Sequence, residues 1–149
     1  MKVRLVLLAA ALLLSACTAK HPAADLSDPA ALYSAMTEVT ELGDMFALTD
    51  EDLLYMIGVD PQWYTSCAAY MASEGTSPEE ILIFRAADAA SAERILETLE
   101  NRLQYKRACA AQYLVENQSL LRDGVVRADG LTVSLIVTED IEAVHSVYP

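Results

Sequence analysis

Asp129-Gly130 separates two short apolar runs, Val125 to Ala128 and Leu131 to Thr138, and this dipeptide constrains the fold more than any other feature of the chain. It is the signature of a two-residue type I′ turn, whose backbone twist matches that of paired strands. The pattern therefore predicts an antiparallel hairpin. In its second arm Leu131, Val133, Leu135 and Val137 alternate with Thr132, Ser134, Ile136 and Thr138, so one strongly apolar face needs a cover.

A long helix is the natural cover. Behind the capping Asp88, the residues Ala92, Leu96, Leu99, Leu103 and Ala110 recur on one face. Glu93, Glu97, Glu100, Arg102 and Lys106 mark the other, which describes a helix of about six turns. From Gln112 to Leu121 helical spacing persists without regularity, so a break and a short second helix are both open. Upstream, Ile81-Leu82-Ile83-Phe84 is a continuous run of strand length, suited to a strand covered on at least part of both faces. Ser66 to Ala72 alternates roughly and is parted from it by the loop SEGTSPEE, giving a second hairpin.

Helical start signals open the first half. Asp28-Pro29 precedes Leu32, Met36, Val39 and Leu42, a pattern stopped by Gly43. Thr49 and Asp52 have the spacing of a capping box before Leu53, Leu54 and Ile57, and Gly58 ends that turn. Asp60-Pro61 starts one further turn through Tyr64, and Ile141, Val144 and Tyr148 predict a terminal helix. The sum is an α+β domain in two layers. An antiparallel sheet of about four strands, formed by two hairpins, carries the long central helix and the N-terminal helices on one face.

Before all this stands a segment that is not fold. Lys2 and Arg4 precede ten residues, Leu5 to Leu14, without a polar side chain. A bilayer-spanning helix needs about 20, whereas a basic start, a short apolar core and a small-residue exit describe a secretory signal. Leu14-Ser15-Ala16-Cys17 resembles the lipobox of bacterial lipoproteins, in which the cysteine thiol takes a diacylglyceryl group and becomes the mature N-terminus. Cleavage elsewhere, for instance after Ala19, or an uncleaved anchor fits the spacing less well. The chain is thus expected to divide into a signal, residues 1–16, a lipidated tether, 17–27, and one domain, 28–149. Two acyl chains, at about 0.8 kcal/mol per buried methylene, hold a protein stably at a membrane. The expected location is the extracytoplasmic face of the cell membrane.

Charge narrows the partners. Loss of Lys2 and Arg4 takes the formal net charge from −12 to −14, which disfavours nucleic acid and repels anionic headgroups. The basic group Arg102, Lys106 and Arg107 sits at helical spacing opposite glutamates and reads as a solvated, ion-paired helix face. Cys67 and Cys109 are a candidate disulfide in an exported chain. Both are flanked by alanine in apolar segments, so buried free thiols are the alternative.

Candidate chemistry is sparse. His21 and His145 are far apart, leaving no zinc-type ligand cluster. Asp50-Glu51-Asp52 begins like a calcium loop, but Tyr55 and Pro61 occupy the positions that need glycine and glutamate. No cofactor is implied. Cys67 or Cys109 with His145 lacks the context of a nucleophilic site, and no catalytic residues are assigned. Trp63, Tyr64 and Tyr70 are candidate ligand-facing aromatics, with core packing as the alternative.

The segments LTDEDLLYMIGVDPQWY, EILIFRAADAASAERILETLENRL and VVRADGLTVSLIVTED, following a signal and lipobox, resemble in their order the bacterial lipoproteins known as domain of unknown function 4358. The resemblance implies extracytoplasmic attachment in a Gram-positive-type envelope and an α+β domain, and supplies no catalytic residues. Where it leads one to expect a polar residue and an aromatic after the turn glycine, this chain has Leu131-Thr132. The expected role is a membrane-anchored binding or assembly module that meets envelope proteins. The alternative is an extracytoplasmic hydrolase with an unrecognised site.

Overall fold

The structure, a computed structural model, describes residues 25–113 and 118–148. The signal, Cys17 and His21 lie outside these. Along the chain run α1 (Pro29–Val39), β1 (Met45–Ala47) and α2 (Asp50–Asp52), then a π-helical turn (Leu53–Ile57) and a 3-10 turn (Pro61–Trp63). Next come β2 (Tyr64–Ala72), β3 (Glu80–Ala86), α3 (Ala89–Tyr113), α4 (Gln118–Asp123), β4 (Val125–Asp129), β5 (Thr132–Val137) and α5 (Ile141–Val147). The strands form one antiparallel sheet in the order β1-β2-β3-β5-β4.

The α+β class, the antiparallel sheet and the long central helix are as the sequence predicts. The sheet has five strands instead of about four. The addition is β1, whose three residues pair Met45 with Ala72 and Ala47 with Tyr70. A three-residue strand is too short to display an alternation.

The helices also divide over both faces, so the domain has three layers, not two. Leu82, Phe84, Val133, Leu135 and Val137 pack with Ile95, Leu99 and Leu103 of α3. The intervening Ile81, Ile83 and Ile136 pack with Leu32 and Met36 of α1 and with Val144, Val147 and Tyr148 at the C-terminal end. Alternating strand residues point to opposite faces, so a β3 that is apolar at every position from 81 to 84 needs two covers. On β5 the second apolar face is disguised by Thr132 and Ser134, which are fully buried. Ser134 satisfies its hydroxyl by donating to the Tyr148 hydroxyl at 3.3 Å.

The closing hairpin forms, with a different turn. Asp129 pairs with Thr132, so Gly130 and Leu131 are the two turn residues. Gly130 has φ +59°, and no described residue other than glycine has positive φ. Positive φ at the first central position alone is the type II′ pattern, equally matched to strand twist. Gly130→Ala is expected to cost about 1–2 kcal/mol, the penalty of left-handed backbone for an L side chain. Open space around its Cβ leaves no steric term to add. Urea unfolding with an unchanged slope checks this.

The described residues hold α3 as far as Tyr113 and α4 from Gln118, with residues 114–117 outside them. Arg107 ties the two: its Nε donates to the Leu121 carbonyl at 2.8 Å and its Nη2 to those of Arg122 and Gly124 at 2.9 and 3.0 Å. This arginine therefore serves as a clamp on the α4 terminus and not as part of a solvated face.

Candidate functional site

The aromatics singled out in the sequence do not form one platform. Trp63 and Tyr64 pack on the α3 side of the sheet, with Arg94 5.8 Å from the Trp63 ring and Phe84 5.3 Å from the Tyr64 ring. Tyr70 is on the opposite side, stacked on Tyr33 of α1 at 3.9 Å. Tyr64 donates its hydroxyl to Asp50 Oδ1 at 2.7 Å. Burial, then that bond, pushes its pKa above the usual tyrosine range.

Cys67 and Cys109 are free thiols, so the candidate disulfide is not formed. Cys67 stands on β2 against the α3-side core, and Cys109 interacts with Tyr105 on α3 itself. Burial, and next the Asp50 charge, push the Cys67 thiol up, away from the reactive thiolate. His145 is exposed on α5, which covers the other face of the sheet.

A different set of residues comes together at the π-helical turn. Thr49 caps α2, which runs straight into it: the Thr49 hydroxyl accepts from the Asp52 amide at 3.2 Å, and its own amide donates to Asp52 Oδ2 at 2.9 Å. That amide, and next the Thr49 hydroxyl donating to Oδ2 at 2.7 Å, hold the Asp52 carboxyl below the ordinary carboxylate range. At the other end the Gly58 amide reaches the Leu53 carbonyl at 2.9 Å, five residues back, with Gly58 at φ +90°. Leu53 and Ile57 are thereby turned into the core. The three residues between them are left outside: Leu54 is 39% exposed, Met56 52% and Tyr55 78%. Expanded helical turns of this kind recur at functional sites.

The patch extends beyond the turn. Arg102 on α3 donates from Nη1 to the Met56 carbonyl at 3.2 Å and approaches Met71 Sδ with Nη2 at 3.7 Å. Phe46, an exposed residue of the edge strand β1, is the cross-strand partner of Met71. Tyr105, also exposed, lies three residues beyond Arg102 on α3, one helical turn along the same side.

Beneath the patch lies a buried ion cluster. Glu80 of β3 is fully buried. Arg102 donates to it from Nε at 3.1 and 3.0 Å and from Nη2 at 2.7 Å, while Lys106 Nζ lies 3.1 Å from Oε1. Lys106 also donates to the Pro78 carbonyl at 2.8 Å. Burial outweighs the pull of Glu80 and lowers the Lys106 pKa. These two cations, read from sequence as part of a solvated face, instead fasten α3 to the sheet.

Beside this end of the sheet a polar cleft of about 600 Å³ is lined by Asp44, Glu74, Glu79 and Glu139 among others. Burial, then the neighbouring Glu139 charge, raises the Glu79 pKa. Its stabilising contribution is accordingly full below the ordinary glutamate value and is lost as pH rises through the raised one. Among the described residues no cluster of three metal-type side chains occurs and no helix is long and apolar enough to cross a membrane.

Comparison with curated proteins and with solved structures returned no match. A family description does match, over residues 38–138, from the end of α1 through β5 and so including the π-helical turn, the ion cluster and the whole sheet. Most of α1 and all of α5, which cover the second face, fall outside it. With about two thirds of its length matched, the chain belongs to the family described as Domain of unknown function (DUF4358).

Proposed function

We propose that the protein is an extracytoplasmic lipoprotein, held to the cell membrane through a diacylglyceryl group on Cys17, whose domain is a binding or assembly module of the envelope. The observation that carries the module reading is the row of exposed Leu54, Tyr55 and Met56, joined by Phe46 and Tyr105, on an otherwise well-packed domain. Exposed apolar groups gathered on one part of a surface mark interaction sites. The anchoring half rests on the Leu14-Ser15-Ala16-Cys17 motif behind a ten-residue apolar run. Cys17→Ala should abolish lipidation and move the protein out of the membrane fraction, as fractionation and blotting will read. Cross-linking and pull-down from intact membranes test the module. Specific recovery of an envelope protein supports it, whereas no such partner together with turnover of a substrate favours a hydrolase.

A further inference from the structure

The sheet has two ends, and the patch and the tether occupy opposite ones. Leu26, near the start of the described chain, is fastened at one end: its carbonyl accepts from the Thr132 hydroxyl, which also accepts from Arg85 Nη1 at 3.3 Å. Arg85 and Thr132 are register partners there, while Glu80 and Val137 are partners at the far end. Five residue steps along the strand separate the two pairs, roughly 17 Å. Phe46, Met71 and the Arg102 contacts belong to the Glu80 end. From Cys17 to Asp25 the chain can extend at most about 28 Å. That reach exceeds the roughly 17 Å between the two ends, so the tether leaves the patch free to meet an envelope partner.

Charge identifies what the patch accepts. The segments that carry it hold the exposed carboxylates Asp44, two residues before Phe46, and Asp50 and Glu51, just before Leu54. Arg102, the cation that touches it at the Met56 carbonyl, is turned inward onto Glu80 together with Lys106. An apolar centre with an acidic rim complements a protein surface offering an apolar side chain among lysines or arginines. Anionic headgroups and a second copy of this acidic chain are both repelled.

We infer that the patch formed by Leu54, Tyr55, Met56, Phe46 and Tyr105 docks an envelope protein through a basic segment with an apolar anchor. This deepens the module reading above and rests on it. The test places a photoreactive benzoylphenylalanine at Tyr55 of the full lipidated chain in its native membranes, with a second probe at Leu54 and a control probe at Glu142 on α5. Adducts are identified by mass spectrometry. The expected product joins the Tyr55 probe to one protein at a segment rich in lysine or arginine. Its yield should fall at least tenfold when Leu54 and Met56 are both replaced by serine, and severalfold at high salt, where rim charges are screened. An adduct with lipid, with a second copy, or with a segment lacking basic residues overturns the inference. A protein adduct from Glu142 but from neither patch probe overturns the patch and leaves the module standing. Absence of protein adducts from all three probes overturns both.

Discussion

Glu80→Ala is expected to destabilise the chain by about 3–5 kcal/mol, the cost of removing one partner from a buried ion pair and leaving the other uncompensated. Glu80 is 0% exposed and receives three bonds from Arg102 and one contact from Lys106. Without it, two cations stand against the sheet with the Met56 and Pro78 carbonyls as their remaining oxygen partners. Water relieves part of this, since the Arg102 and Lys106 side chains are 16% and 19% exposed. Replacing all three together by methionine should recover most of the loss, because apolar groups of similar volume commonly equal a buried ion cluster in stability. Urea unfolding of the single and triple variants decides the matter. A single variant within about 0.5 kcal/mol of the parent, the range of ordinary surface substitutions, would show that the cluster is solvated.

Phe84→Ala should cost a similar amount, about 3–5 kcal/mol, for a different reason. Its ring is fully buried between the sheet and α3, tilted against Tyr64, with Cys67 and Val133 as register neighbours. Truncation removes that transfer free energy and leaves a void that β3, paired on both sides, cannot close. Tyr55→Ala gives the contrast. At 78% exposure its ring adds little to the fold, and stability should stay within about 0.5 kcal/mol of the parent while partner capture is lost. A chain in which Tyr55→Ala unfolds the domain and Phe84→Ala does not would invert the division between core and interface drawn here.

Much of the architecture is legible in the residues because it is written in local patterns. The Asp28, Thr49, Asp60, Asp88 and Asp140 side chains all accept backbone N–H groups at the starts of their turns or helices. The alternation of Val133, Leu135 and Val137 places those residues under α3 as expected. The third layer was harder to see, because Thr132 and Ser134 look like the solvent side of β5 and become buried only when α1 and α5 arrive from the two ends of the chain. The same holds for the turn: Asp129-Gly130 announces a hairpin, but the register that makes Gly130 the first central residue is set by pairing across β4 and β5.

The candidate site was the least legible part. Arg102 and Lys106 occupy positions that a helical wheel assigns to solvent next to glutamates, and only the fold brings the buried Glu80 of β3 to them. Leu54 counts as one more apolar residue of a short helix until the π-helical expansion turns it outward with Tyr55 and Met56. Trp63, Tyr64 and Tyr70 look like a set because they are close in sequence, and plain alternation would keep Tyr64 and Tyr70 on one face; the register shift between Tyr64 and Ser66 sends them to opposite ones.

The central claim is that this acidic domain is displayed from a membrane by its own cysteine. Mass spectrometry of the protein extracted from native membranes tests it most directly. The account predicts an N-terminal peptide beginning at Cys17 and carrying a diacylglyceryl thioether. A mature N-terminus at any other residue, or Cys17 recovered with an unmodified thiol, would contradict it.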